Sequence, residues 1–141
     1  MSAAALRQRQ RIVKVRKIQH ALAANAAAAA AGRVRHLELS RERLLQMRAE
    51  LKPVEGPSSG QALAQMGELA MRLDSARLGL GPTIDSARSA AAIRETERLS
   101  ARRDQESAEK LEDIAVRAAE ELAEQKLRGV FRRRARIHAG D

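Results

Sequence analysis

The apolar positions of this chain step by three or four residues, which is the spacing of one helix face, and nowhere alternate as in a half-buried strand. In the first third they run Ile12, Val15, Ile18, Leu22, Ala26, Ala29, then Leu37, Leu44, Met47 and Leu51. At 3.6 residues per turn, Val15 to Leu51 is about ten whole turns. One apolar face therefore predicts a helix over about residues 3–52. Its middle is a run of six alanines, Ala26 to Ala31. Alanine favours the helix and lets a partner helix approach closely.

Pro53-Val54-Glu55-Gly56-Pro57-Ser58-Ser59-Gly60 ends that helix and reads as a linker over 53–60. A short helical segment is expected over about 61–78, with Leu63, Met66, Ala70 and Leu73 on one face. Gly79-Leu80-Gly81-Pro82 predicts a second break, with Pro82 in the first turn of a new helix where its missing N–H costs nothing. The last helix is expected over about 83–135, with Ala90, Ile93, Ser100, Ser107, Leu111, Ala115, Ala118 and Leu122 on its face. Its stretch Arg94 to Lys110 holds Leu99 as its only large apolar residue. A helix that polar buries little by itself and needs a close-fitting partner.

Composition narrows the fold. Phe131 is the only aromatic residue among 141, so no thick globular core is available. A seam between two helices needs only Ala, Leu, Ile and Val. The expected fold is all-α: a long antiparallel two-helix coiled-coil hairpin with a short helical segment near the turn, one domain over 1–141. Its seam is assigned to Val15, Ile18, Leu22, Leu44, Leu51, Leu111 and Leu122. If residues near 51 face residues near 83, Ile18 lies opposite Val116 and Leu22 opposite Glu112.

The net charge of +9 is uneven. Residues 1–37 carry eight basic side chains and no acid, residues 82–126 carry a net −3, and residues 127–141 a net +4. In the expected hairpin both basic segments meet at one end, with Glu120, Glu121 and Glu124 facing the first helix. Arg7, Arg9, Arg11 and Lys14 would then join Arg132, Arg133, Arg134 and Arg136 in one partner-binding patch. Such a patch draws in an acidic protein surface, a nucleic acid or an anionic membrane.

Candidate chemistry changes this picture little. There is no cysteine, hence no disulfide, thiolate nucleophile or zinc-thiolate site. His20, His36 and His138 are too far apart for an i, i+4 ligand pair, so no metal site is assigned. The carboxylates of the last helix have arginine and lysine neighbours and no cleft to perturb them. Neither catalysis nor a cofactor is expected. No run of 18 apolar residues is present, so no transmembrane helix is expected. The acid-free, arginine-bearing residues 1–37 share the look of a mitochondrial presequence, but the helical pattern continues past them. Aromatic residues for base stacking are missing, which leaves non-specific phosphate contact as the nucleic-acid route.

One stretch carries a family resemblance. Gln105-Glu106-Ser107-Ala108-Glu109-Lys110-Leu111-Glu112-Asp113-Ile114-Ala115-Val116-Arg117-Ala118-Ala119 resembles the last helix of the flagellar export protein FliJ family. The cysteine-free layout of a basic first helix, a broken middle and a long charged last helix is similar too. The Ala-rich first helix and the Pro/Gly/Ser break depart from that pattern. The resemblance implies an antiparallel coiled coil without a cofactor. It also implies a cytoplasmic component, peripheral to the inner membrane at the flagellar base, that engages the export ATPase ring, the export gate and export chaperones. Two alternatives stay open on the residues alone. One is a generic coiled-coil scaffold, including a homodimer. The other is a basic helical protein that binds nucleic acid or an anionic membrane.

Overall fold

The computed structural model describes residues 3–52 and 59–140. It contains two helices, α1 (Ala3–Glu50) and α2 (Gly60–Ala139), and no strand among the described residues. The fold is all-α. Most of the expected linker, residues 53–58, lies outside the described residues. The Ser59 hydroxyl accepts a bond from the Ala62 amide at 3.1 Å and so caps α2. The Leu63 amide donates to the Ser59 carbonyl at 3.2 Å, the first bond of the α-helical ladder.

The expected break at Gly79–Pro82 is absent: α2 passes through Pro82 as one helix of 80 residues, so the separate short helix over 61–78 does not exist. Proline removes one ladder bond and crowds the carbonyl four residues back. Here the Thr83 hydroxyl donates to the Gly79 carbonyl at 3.5 Å. A Cβ added at Gly79 or Gly81 would meet nothing within 4 Å beyond its chain neighbours, so neither glycine is held by close packing. Packing then outweighs the local cost, because Ile84 and Ala87, just past the proline, are both buried. Local breaker chemistry is a weaker signal than a continuous apolar seam.

The chain divides into two compact units, Ala24–Thr96 and Met1–Ala23 with Glu97–Asp141, and both helices contribute to each. In the first, Ala27, Leu73, Ile84 and Ala87 form the core. Arg48 pairs with Asp74 at 3.3 Å and Arg88 with Glu38 at 2.7 Å. As α1 advances its partners on α2 retreat, so the helices are antiparallel. In the second unit Val13, Ala108 and Ala115 are buried, and Arg16 pairs with Asp104 at 3.5 Å. Gln10, Val13, Lys14 and Lys17 line a cleft with Glu112, which again sets the helices antiparallel.

The seam repeats every 3.5 residues rather than 3.6. The shielded residues of α1 include Leu6, Val13, His20, Ala27, Val34, Arg41 and Arg48, seven apart, interleaved with Arg9, Arg16, Ala23, Ala30, Leu37 and Leu44, and with Leu51 just past the helix end; Ala5, Ile12, Ala24, Ala26, Ala31, Glu38, Ser40 and Leu45 flank them. On α2 one set runs Met66, Leu73, Leu80, Ala87, Ala101, Ala108 and Ala115, all shielded, with Arg94 the exposed member between Ala87 and Ala101. The other runs Ala70, Arg77, Ile84, Ala91, Arg98, Gln105, Glu112 and Ala119. This is the heptad repeat of a coiled coil, in which slight underwinding keeps one seam facing the partner.

That repeat corrects the expected seam. Leu44 and Leu51 lie on it and are half-buried. Val15, Ile18 and Leu22 are exposed, at 51%, 62% and 65%. A 3.6-residue line and a 3.5-residue line drawn back from Leu51 diverge by about 20° per heptad, or roughly 100° by residue 15. The same drift leaves Leu111 exposed while Glu112 takes the seam position, and Leu122 sits at the seam's end, still exposed. The register is corrected as well. The expected pairing put Arg16 opposite Ala118, whereas its carboxylate partner is Asp104.

Candidate interaction surfaces

Heptad positions on α1 are unusually polar: Arg9, Arg16, His20, Arg41 and Arg48 share the seam with alanines and leucines. Long arginine stems lie along apolar surface while their heads reach carboxylates at the rim. Arg16 and Arg48 do so toward Asp104 and Asp74. Both pairs are about half exposed, so each adds little stability and mainly fixes register. His20 is different, since its Nε2 is shielded and has no hydrogen-bond partner.

Apolar side chains that the seam leaves out collect on the outward side of α1. At about 100° per residue, Val15, Ile18 and Leu22 fall on the same side as Arg7, Arg11 and Lys14, within roughly 100° of arc. All six are exposed. Arg9 sits elsewhere, on the seam. The expected single basic patch therefore divides. Arg16 lies level with Asp104 and the turn Gln10 to Lys17 level with Glu112, so Arg7 lies level with residues between about 113 and 119 of α2. Arg132 is about 13–19 residues further along, roughly 20–28 Å at 1.5 Å per residue. The two arginine groups do not converge. Opposite Gln10 to Lys17 stand Glu112 and Asp104 rather than Glu120, Glu121 and Glu124.

Beyond Ala119 every described residue of α2 is exposed except Gly129, which is partly shielded. By the same register Ala3, the first described residue of α1, lies no further along α2 than about residue 123, and past that point no described residue of α1 faces α2. Glu124 and Arg128 pair along the helix at 3.7 Å. No ion pair reaches Arg132, Arg133, Arg134 or Arg136 among the described residues.

The concavities are open grooves on helix surfaces. The one beside the proline is lined by Ala30, Arg33, Pro82, Thr83, Ser86, Ala87 and Ala90. No cluster of three metal-ligating side chains occurs among the described residues. No described helix is long and apolar enough to cross a membrane. No family model matches the chain, and no curated protein or solved structure is similar to it.

Proposed function

We propose that this chain is a non-enzymatic coiled-coil adaptor of the flagellar type III export apparatus, engaging the export ATPase ring, the export gate and chaperones. The observation that carries the adaptor reading is the outward side of α1. Val15, Ile18 and Leu22 stand in water there beside Arg7, Arg11 and Lys14. Three large apolar side chains grouped with cations on an otherwise polar rod of helix suit a protein partner with an apolar, acid-rimmed surface. The cations speed and orient encounter, and the apolar residues slow dissociation. The seam supports the reading from the other direction. Polar heptad positions and small alanines make a thin interface that holds two helices in register and leaves their outer faces free for partners. The choice of the export ATPase as partner comes from the resemblance of residues 105–119 to the FliJ family.

The test is equilibrium binding of the full chain to the purified export ATPase. Replacing Val15, Ile18 and Leu22 together with serine is expected to weaken binding at least tenfold while leaving the melting temperature nearly unchanged. Absence of wild-type binding overturns the export reading, and self-association at the same face in its place supports the generic scaffold.

A further inference from the structure

The far end of α2 is built for a different partner from the rest of the molecule. If the heptad repeat continued past Leu122, its next positions would be Lys126, Gly129, Arg133 and Arg136. Three of these four are cations, a denser run than any other on the α2 seam. The apolar residues instead shift by one, to Leu127, Val130 and Ile137, with Phe131 adjoining. A shift of one residue turns the apolar stripe by about 100° around the helix. The change of phase coincides with the point where α1 no longer faces α2. The apolar stripe of this segment thus runs out of phase with the seam.

That pattern is a basic amphipathic helix. Ile137, Val130, Leu127 and Phe131 occupy about 120° of arc at 100° per residue. Lys126, Arg133, Arg136, Arg132 and Arg128 fill the remaining arc, and Arg134 and His138 interrupt the apolar arc. Residues 126–140 hold six cations and no acid. Leu127, Phe131 and Ile137 are 59%, 66% and 70% exposed.

From this we infer that residues 126–139 of α2 dock flat on an anionic lipid surface. The four apolar side chains enter the boundary between headgroups and acyl chains, and the arginines stay at the anionic headgroups. Arg134 reaches out of the apolar arc along its own stem. Both halves of the helix are satisfied at once. A nucleic acid uses the cations and leaves Leu127, Val130, Phe131 and Ile137 in water. A second copy of the same segment meets six like charges. The helix lies on the bilayer and does not cross it, consistent with the lack of a long apolar run. The inference stands on its own residues and goes beyond the adaptor reading, whose face lies on α1.

The chain has no tryptophan, which makes a direct assay available. Phe131→Trp places a reporter on the apolar arc and Gln125→Trp places one on the polar side. With full-length protein and vesicles of phosphatidylglycerol and phosphatidylethanolamine, Phe131→Trp emission is expected to shift to the blue and Gln125→Trp emission to stay unchanged. Vesicles of phosphatidylcholine alone are expected to shift neither. In co-sedimentation, Arg132→Ala/Arg133→Ala/Arg134→Ala is expected to lower affinity about a hundredfold, since each cation near the surface contributes about fivefold. Val130→Ser/Phe131→Ser is expected to lower it at least tenfold with helix content unchanged. No binding to anionic vesicles at low salt overturns the inference. So does undiminished binding by the Val130→Ser/Phe131→Ser variant, or tighter binding to random-sequence duplex DNA than to the vesicles. The export ATPase plays no part in these arms, so failure here and failure of the adaptor reading are separate results.

Discussion

One substitution made at two sites separates a 3.5-residue seam from a 3.6-residue face. Ile84 is 1% exposed and Ile18 is 62% exposed, and both lie inside long helices. Changing either to alanine gains about 0.4 kcal/mol of helix propensity, because alanine loses no side-chain freedom in a helix. At Ile84 that gain is outweighed. Removing a buried isoleucine side chain costs about 3 kcal/mol in lost transfer energy and cavity. The net loss of about 2.5 kcal/mol corresponds to roughly 8 °C in melting temperature for a chain of this size. At Ile18 the side chain keeps little more than a third of its surface from water. Its loss of about 0.7 kcal/mol nearly cancels the propensity gain, leaving a change within about 0.5 kcal/mol. Circular dichroism at 222 nm, followed through heating and through urea, reads both variants. Equal destabilisation by Ile18→Ala and Ile84→Ala would refute the heptad assignment, and a loss at Ile18 alone would restore the 3.6-residue face.

Four further substitutions probe features of the helices that the seam tolerates. Pro82→Ala restores a ladder bond inside α2 and is expected to stabilise the fold by up to about 3 kcal/mol, read as a higher urea midpoint. Gly67→Ala and Gly79→Ala are expected to add about 0.5–1 kcal/mol each, since an added Cβ meets nothing within 4 Å at either position; a lower melting temperature would show that these positions need their freedom. His20→Leu exchanges a shielded ring nitrogen with no partner for an apolar heptad residue and is expected to gain about 1 kcal/mol by the same melt.

The sequence was most legible where one physical effect dominates. Helix content followed from alanine, leucine and arginine with few breakers, and antiparallel packing from two long segments joined through a proline- and glycine-bearing stretch. The seam was harder, because its positions hold Arg16, His20 and Arg48 while Ile18 and Leu22 look more apolar than their places deserve. A hydrophobicity rule prefers the latter. What identifies the former is strict repetition: Leu6, Val13, His20, Ala27 and Val34 recur every seven residues without a slip. Pro82 misled for the opposite reason, as a strong local signal overruled by the burial of Ile84 and Ala87. The two arginine groups could be placed relative to one another only once the register was known, and register rests on pairs such as Arg16 with Asp104 that no spacing rule selects among many candidates. The change of apolar phase after Leu122, by contrast, is written in the sequence and becomes meaningful once the seam's own phase is known.

Register is the central claim, and the absence of cysteine allows it to be measured directly. Paired cysteines at Arg16 and Asp104, or at Glu38 and Arg88, are joined by a short thiol cross-linker only if these positions face one another. Rapid intramolecular cross-linking of both pairs is expected in dilute protein. No cross-linking is expected for Ile18→Cys with Val116→Cys: Ile18 lies level with residues between about 102 and 108, which is about 8–14 residues of helix, roughly 12–21 Å, from Val116. Efficient cross-linking of the Ile18–Val116 pair, with the Arg16–Asp104 pair unreactive, would contradict this register.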